Sequence, residues 1–323
     1  MGCGLIAGVA FLAALLLSAG TATAAFPGKP GPIVYVKTFV EEVGPDGELE
    51  PTSGLYVDPP GRRRRPRQLT FNRTDSEPSY SPDGRRIVFF SVGGEGPGIY
   101  VVDGDGSGRR KVIDDGADPS FFPSGRSIVF SRSDGGDSQI WSVRLDGTGL
   151  RQLTHGPYDD HDPVVSPNGR RIAFVSDRDP DGRRDRSDIF SMRANGSGLR
   201  VMIDGPRAEY QPDYAPGGRR VTYVLGTGPR SNVLVARTSG RGIRVLNPCR
   251  RKRQGIRCPS YSHPSFSPDG RQVVFRSGGS RTSGIDVVNS RHRGTGRSVD
   301  SGGTEEEGLG SYVSEPSWAP RPR

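Results

Sequence analysis

The amino-acid sequence predicts an all-β fold, a six-bladed β-propeller whose ring closes when the C-terminal strand pairs with the N-terminal blade. Three observations predict it: a repeated motif with two prolines, a regular spacing of the copies, and an unfinished repeat at each end of the chain. Repeats of about 40–45 residues that hold four short strands are typical of propeller blades.

The first copy of the motif runs from Glu77 to Phe90 and reads Glu-Pro-Ser-Tyr-Ser-Pro-Asp-Gly-Arg-Arg-Ile-Val-Phe-Phe. Its second proline recurs at positions 82, 123, 167, 216, 268 and 320, which gives spacings of 41, 44, 49, 52 and 52 residues. Loops of different length between similar strands account for the variation in this spacing.

Each copy contains the elements of one blade. A Pro-Asp-Gly turn follows the first strand, because proline fixes φ and glycine accepts a positive φ. The second strand, as at Ile87–Phe90, is a continuous β-branched and aromatic run, which is expected where neighbouring blades cover both faces. A third strand, a Gly-rich turn such as Asp146–Gly149 and a short Arg-bearing outer strand complete the blade. The first strands carry one large apolar residue each: Tyr80, Phe121, Val165, Tyr214, Phe266 and Trp318.

The two chain ends complete each other. The N-terminal part supplies a second, third and outer strand at Ile33–Val36, Gly54–Asp58 and Arg67–Thr70, whereas the C-terminal half-copy supplies only a first strand. Pairing them completes a sixth blade. We therefore predict a propeller over 25–323 with blades at 33–70 together with 313–321, and at 77–115, 117–156, 161–205, 210–248 and 262–301.

These repeats resemble the WD-40-like propeller repeat of the TolB family, whose form is Pro-x-aromatic-Ser-Pro-Asp-Gly-(Lys/Arg)-x-Ile-x-Phe. The resemblance spans residues 33–320. It implies the fold rather than one function, since a propeller supports many functions. Family members include the periplasmic partner of the peptidoglycan-associated lipoprotein, secreted binding proteins and propellers attached to peptidases. TolB proper has a separate domain ahead of its propeller that is not found here, so we expect a role other than the Tol–Pal partnership.

The composition is basic and poor in apolar residues. The 323 residues are 32% hydrophobic, include 47 Gly and 28 Pro, and carry a formal net charge of +9. Such a composition suits many short strands and turns better than one thick core. The Arg-rich runs at 62–65, 183–186 and 250–253 fall in predicted loops without interleaved aromatics, so we expect solvated turns and no nucleic-acid partner.

The N-terminus predicts export. Residues Leu5–Leu17 form a short apolar run before an Ala22-Thr23-Ala24 cleavage pattern, which is typical of a signal peptide over 1–24. Its n-region has no Lys or Arg, so an uncleaved anchor is the alternative. In the oxidising compartment that export implies, Cys249 and Cys258 are expected to form a disulfide. A metal site there needs two more ligands, and His263 is the nearby candidate.

One set of residues points to a ligand. The residue before the first proline of each copy is expected to precede the innermost strand, so that the six side chains gather at one mouth of the channel: Glu77, Asp118, Asp162, Gln211, His263 and Glu315. Four carboxylates there focus a negative potential that suits Ca²⁺ or a basic peptide segment. Asp75, Asp160 and Glu209 lie two residues upstream and add to it. The alternative is that these acids cap backbone amides or pair with arginines.

Motifs of catalysis are absent from the sequence. It contains no Gly-x-Ser-x-Gly elbow, no Walker loop and no His-Glu-x-x-His pattern. We therefore predict a non-catalytic, monomeric binding or scaffold module, secreted or periplasmic, that holds a protein or envelope polymer and spans no membrane once the signal is cleaved. The alternatives are a polysaccharide lyase or hydrolase using Tyr210, Gln211, Tyr261 and His263, with His161 near the same blade position, and an anion-surface binder acting through the basic loop between Cys249 and Cys258.

Overall fold

Strands account for nearly all the regular structure. The computed structural model describes residues 26–43, 48–59, 66–71, 74–178, 186–228, 231–246, 259–278, 283–291, 297–301 and 311–321. In chain order the first strands are β1 Pro30–Val43, β2 Glu48–Asp58, β3 Arg67–Gln68, β4 Ser76–Tyr80, β5 Arg86–Ser91, β6 Gly98–Asp103, β7 Arg110–Asp114, β8 Ala117–Phe121, β9 Ser127–Arg132, β10 Gln139–Arg144, β11 Arg151–Gln152 and β12 Asp160–Val165. The others are β13 Arg171–Ser176, β14 Asp188–Arg193, β15 Arg200–Ile203, β16 Glu209–Tyr214, β17 Arg220–Leu225, β18 Asn232–Arg237, β19 Arg244–Val245, β20 Ser260–Phe266, β21 Gln272–Gly278, β22 Ser283–Asn289, β23 Arg297–Ser301 and β24 Ser311–Pro320.

Within the described residues these strands form six four-stranded antiparallel sheets, the blades of a propeller. Blades 1 to 5 follow the chain as β4–β7, β8–β11, β12–β15, β16–β19 and β20–β23. Blade 6 has the order β24-β1-β2-β3, with Ile33 opposite Trp318 and Val34 opposite Ser317. The predicted six blades and the closure by the C-terminal strand are therefore confirmed. The hairpin of β1 and β2 extends further than predicted, to Val43 and Glu48.

The apolar core is divided among the blade interfaces. In the described part of the chain it forms six clusters, each drawn from two adjacent blades. Phe121 and Phe130 of blade 2, for example, share a cluster with Val88 and Ile99 of blade 1. The large first-strand residues that the motif singles out are all buried. A ring of thin clusters explains how a chain with few apolar residues still buries a core.

Arginines join neighbouring blades. The first residue of several outer strands donates to a carbonyl in the next blade: Arg67 to Gly104 and Asp105, Arg110 to Leu145, Arg151 to Asn195, and Arg244 to Arg291. Arg86 and Arg220 likewise donate from their Nη2 atoms to the turn carbonyls of Gly125 and Gly270, at 2.9 and 3.0 Å. Some of the arginines that give the chain its positive charge therefore hold neighbouring blades together.

Arg110→Met should lower the stability of the propeller by about 1–2 kcal/mol, because the carbonyl of Leu145 loses its charged donor at 2.6 Å. For a domain of this size that is a fall in Tm of about 2–3 °C. Arg126→Met is the matched control, since Arg126 is exposed and its side chain makes no hydrogen bond in the described structure. Equal melting curves for the two variants would contradict the structural role of Arg110.

Several predicted features lie outside the described residues. They are the signal segment 1–24, Cys249 and Cys258, and the basic runs apart from Arg186. The described residues contain no helix long and apolar enough to span a membrane.

Candidate functional site: a ring of inner-strand side chains

The six predicted site residues occupy one equivalent position in the inner strands β4, β8, β12, β16, β20 and β24. The prediction that they precede these strands was wrong, because each strand begins one to four residues earlier. A register shift accompanies the site residue in every blade, as between Ser76 and Ser79 of β4. The proline that follows has no N–H to pair, so the site residue and the proline form a β-bulge.

The bulge places all six residues in the left-handed region of backbone conformation. Their φ angles are 51–55°, a value that side chains other than glycine adopt rarely. Such a conformation costs about 1–3 kcal/mol and persists where surrounding contacts impose it. Its recurrence in all six blades indicates a shared cause, which is the hydrogen bonding between blades.

The side chain of one blade accepts the backbone N–H of the site residue in the next. Glu315 Oε2 accepts from Glu77 N at 2.5 Å, and Glu77 Oε2 accepts from Asp118 N at 2.6 Å. Asp118 and Asp162 continue the series at 3.4 and 3.3 Å, the latter to Gln211 N. Gln211 Oε1 then accepts from His263 N at 2.8 Å. These five links run through all six residues, from Glu315 to His263, and we call the six residues the inner ring.

The inner ring is buried rather than open at the surface. Its side chains have 1–7% residual exposure, and the residue before each of them is half-buried. The alternative in which the acids cap backbone amides is therefore observed directly. The structure brings all six predicted residues together, but one layer inside the mouth at which they were expected.

The carboxyl groups are concentrated in one half of the inner ring. Burial, together with the charges of Asp118 and Glu315, raises the pKa of Glu77 well above its usual range. Burial and the charge of Asp162 raise the pKa of Asp118 to about 8. Burial also raises the pKa of Asp162. These carboxyls therefore have an unusually high affinity for protons.

Two histidines neighbour these acids. Burial opposes protonation of His161, but its contact with Asp162, at 3.4 Å from Nδ1 to Oδ2, prevails and raises its pKa to about 9. His263 lies in the inner ring itself, where its Nε2 is 2.9 Å from Gln211 Nε2. Tyr261 packs edge-on against Phe275 and thus belongs to the blade interface. Tyr210 is half-buried beside Gln211.

The three upstream acids differ in their partners. Asp75 is paired with Arg109 at 3.1 Å, and Asp160 with Arg178. Glu209 is fully buried beside Asp188, and burial followed by the contact with that second carboxyl raises its pKa to about 8. Sequence reasoning missed Asp188, because it begins the third strand of blade 3 and nothing in the repeat links it to blade 4.

Metal ligands do not cluster in the described part of the chain, where no group of three or more His, Cys, Asp or Glu side chains is arranged to hold an ion. The inner-ring oxygens instead face backbone amides.

The sheet topology defines a six-bladed β-propeller that is closed by the pairing of β24 with β1. The chain belongs to the TolB beta propeller domain family, whose model matches residues 114–321. The search of curated proteins gives no match.

Solved structures share this fold at low sequence identity. TolB from Acinetobacter baumannii is 20% identical over 90% of this chain and 67% of its own, with a TM-score of 0.69. The propeller domain of the Trilobed protease from Pyrococcus furiosus is 13% identical over 84% and 93%, with a TM-score of 0.55. An oligogalacturonate lyase in complex with manganese is 14% identical over 85% and 74%, with a TM-score of 0.51. Identities this low establish the architecture alone.

Proposed function

We propose that the chain is an exported, non-catalytic binding module of the cell envelope that holds a cationic segment of a protein or envelope polymer at the inner ring. The observation that supports this most is the clustering of three carboxyls, Glu77, Asp118 and Asp162, which hydrogen bonds link in one half of the inner ring. Burial and, for Glu77 and Asp118, the neighbouring carboxyls raise their pKa values, so a cationic group that neutralises them can replace the protons that they hold.

A lysine or arginine side chain fits the inner ring better than a bound metal ion. Ca²⁺ requires six to eight oxygen ligands, whereas Glu77 Oε2 and Asp118 Oδ2 already accept backbone N–H groups. A cationic side chain needs only one or two oxygens and carries its own donors. Ser76, His161 and Tyr210, each next to an inner-ring residue in the sequence, are half-buried rather than fully buried.

Calorimetric titration with tetralysine and tetraarginine peptides tests this function. We expect binding that weakens with salt and releases protons near pH 7.5, because the cation displaces protons from Asp118 and Glu77. The double variant Glu77→Gln, Asp118→Asn should weaken binding about tenfold or more, whereas Asp269→Asn on the opposite side of blade 5 should leave it unchanged. Absence of heat with both peptides would overturn the proposal.

Titration with Ca²⁺ tests the ion as an alternative ligand. If millimolar Ca²⁺ gives heat and a rise in Tm, the ion replaces the cationic segment as the proposed ligand. If it gives no heat and no rise in Tm, Ca²⁺ is excluded as the ligand.

Cell fractionation tests the envelope location. Fractionation of cells that express the full chain should place it in the periplasm or the medium without residues 1–24. A cytoplasmic product that keeps these residues would contradict export.

The enzymatic alternative is favoured by one contact, the polar pair of Gln211 and His263 beside Tyr210. Incubation with acidic polysaccharides should give no shortened or unsaturated products, either with the natural chain or with the Tyr210→Phe, His263→Ala variant. Turnover by the natural chain that the variant loses would establish a lyase or hydrolase instead.

A further inference from the structure

The opposite end of the channel is basic. There the turns between the first and second strands of blades 1 and 2 meet both ends of the described chain, and together they line a cavity of about 940 Å³. Its charged lining consists of Lys29, Arg85, Arg86, Arg321 and a single acid, Asp83. We call it the turn-side cavity.

The carboxylate of the single acid in the turn-side cavity already accepts hydrogen bonds from its own turn. Asp83 Oδ1 accepts the hydroxyl of Ser81 at 2.6 Å and the backbone N–H of Arg85 at 3.0 Å. These bonds, with the nearby arginines, hold the pKa of Asp83 below its usual value despite partial burial. Asp83 therefore stabilises its own turn, and the four cations dominate the potential of the cavity.

Two of the cations are held in position. Arg86 donates from Nη2 to the carbonyl of Gly125 at 2.9 Å, and Arg321 donates from Nε to the carbonyl of Pro30 at 2.9 Å. The remaining N–H groups of each planar guanidinium are then fixed in direction, so less conformational entropy is lost when an oxyanion binds.

A set of arginines in the turns between the first and second strands makes no hydrogen bond between blades in the described structure. The residue after the turn glycine is arginine in five blades, although the turn itself varies: Arg85, Arg126, Arg170, Arg219 and Arg271. All five are exposed. Within the described chain their side chains make none of the inter-blade bonds that engage Arg86, Arg110 and Arg220. They form a basic face around this mouth, and Arg85 lies in the cavity.

We propose that the turn-side cavity binds a short oligoanion whose carboxylate or phosphate groups pair with Arg85, Arg86, Arg321 and Lys29. Guanidinium groups match both oxyanions in a bidentate manner. The residues that line the cavity include four prolines and no aromatic ring, so a nucleobase finds no surface on which to stack. The site is separate from the inner ring, and either can exist without the other.

Titration of the full chain with tripolyphosphate and with trigalacturonate tests the proposal, with neutral maltotriose as the control. We expect at least one oligoanion to bind with an affinity that falls as salt rises, and maltotriose to give no heat. The oligoanion that binds more tightly shows whether the natural ligand carries phosphate or carboxylate groups. Absence of binding by both, or equal binding of maltotriose, would overturn the proposal.

Two double variants locate the site. Arg85→Ala, Arg321→Ala should weaken oligoanion binding about tenfold or more, because two charge-assisted contacts are lost. Arg170→Ala, Arg219→Ala removes the same charge from equivalent turns of blades 3 and 4, outside the cavity, and should change the affinity less than about threefold. An equal loss in both would mean diffuse attraction to the basic face, and would overturn the cavity as the site. Melting curves of both variants check that each one folds.

Discussion

A chain that ends before Ser311 should lose its cooperative thermal transition. β24 is the inner strand of blade 6, and its loss leaves the full edge of β1 unpaired. Val313 and Trp318 also disappear from the cluster that joins blade 6 to Ile285 of blade 5. With Glu315 the inner ring loses the acceptor for Glu77 N. Loss of one blade interface, one sheet edge and one ring contact together exceeds the 5–15 kcal/mol by which domains are typically stable.

A circular permutant is the control for this deletion. Arg321 N donates to the carbonyl of Lys29 at 2.9 Å, so the end of β24 lies beside the start of β1. Residues 311–321, joined through a Gly-Ser linker to Phe26, should restore blade 6 and melt within a few degrees of the natural chain, because the buried side chain of Phe26 is kept. Calorimetry of the three proteins makes the comparison. A truncated chain that melts like the natural one would contradict closure through β24.

A single substitution gives a graded version of the same result. Trp318 is buried, and its Nε1 donates to the carbonyl of Gly31 at 3.1 Å. Trp318→Ala should lower the free energy of unfolding by about 3–5 kcal/mol. Trp318→Phe keeps most of the apolar volume and should cost less.

The propeller could be predicted from the sequence because its determinants are local and repeated. Proline, glycine and a β-branched run recur in each copy, and Ile33 and Trp318 belong to halves of a blade that have no other partner. A missing first strand at one end and a spare one at the other specify the closure without any knowledge of contacts.

The conformation of the inner ring could not be predicted in the same way. A residue before proline is ordinarily driven to extended conformations, so nothing local in the sequence predicts a left-handed conformation at Glu77. The left-handed φ of Glu77 is imposed by Glu315 and Asp118, which lie 238 and 41 residues away along the chain. Contacts between residues so far apart in the chain leave no pattern in the local sequence. The same holds for the contact between Asp188 and Glu209.

The propeller should become less stable as pH rises from about 5.5 to about 9. Asp118 has a pKa of about 8 in the folded state against an ordinary value of 3.8, so the folded state holds its proton over a range where the unfolded chain has lost it. Stability from the uncharged form is complete below the unfolded value and is lost as pH rises through 8. Glu209, also near 8, and His161, near 9, act in the same direction. Since a difference of one in pKa corresponds to about 1.4 kcal/mol, we expect Tm to fall by several degrees.

Asp118→Asn should flatten this pH dependence and raise Tm at pH 9. One oxygen of Asp118, Oδ2, accepts both the hydroxyl of Ser131 at 2.7 Å and the N–H of Asp162, so the single carbonyl of asparagine can take over both bonds without the charge. Asp269→Asn is the matched control, because Asn168 already makes the equivalent turn in blade 3. That variant should keep the full pH dependence. A natural chain that is more stable at pH 9 than at 5.5, or an Asp118→Asn chain with an unchanged profile, would mean that the carboxyls of the inner ring stay ionised. The proton release expected when a cationic peptide binds at pH 7.5 would then be absent.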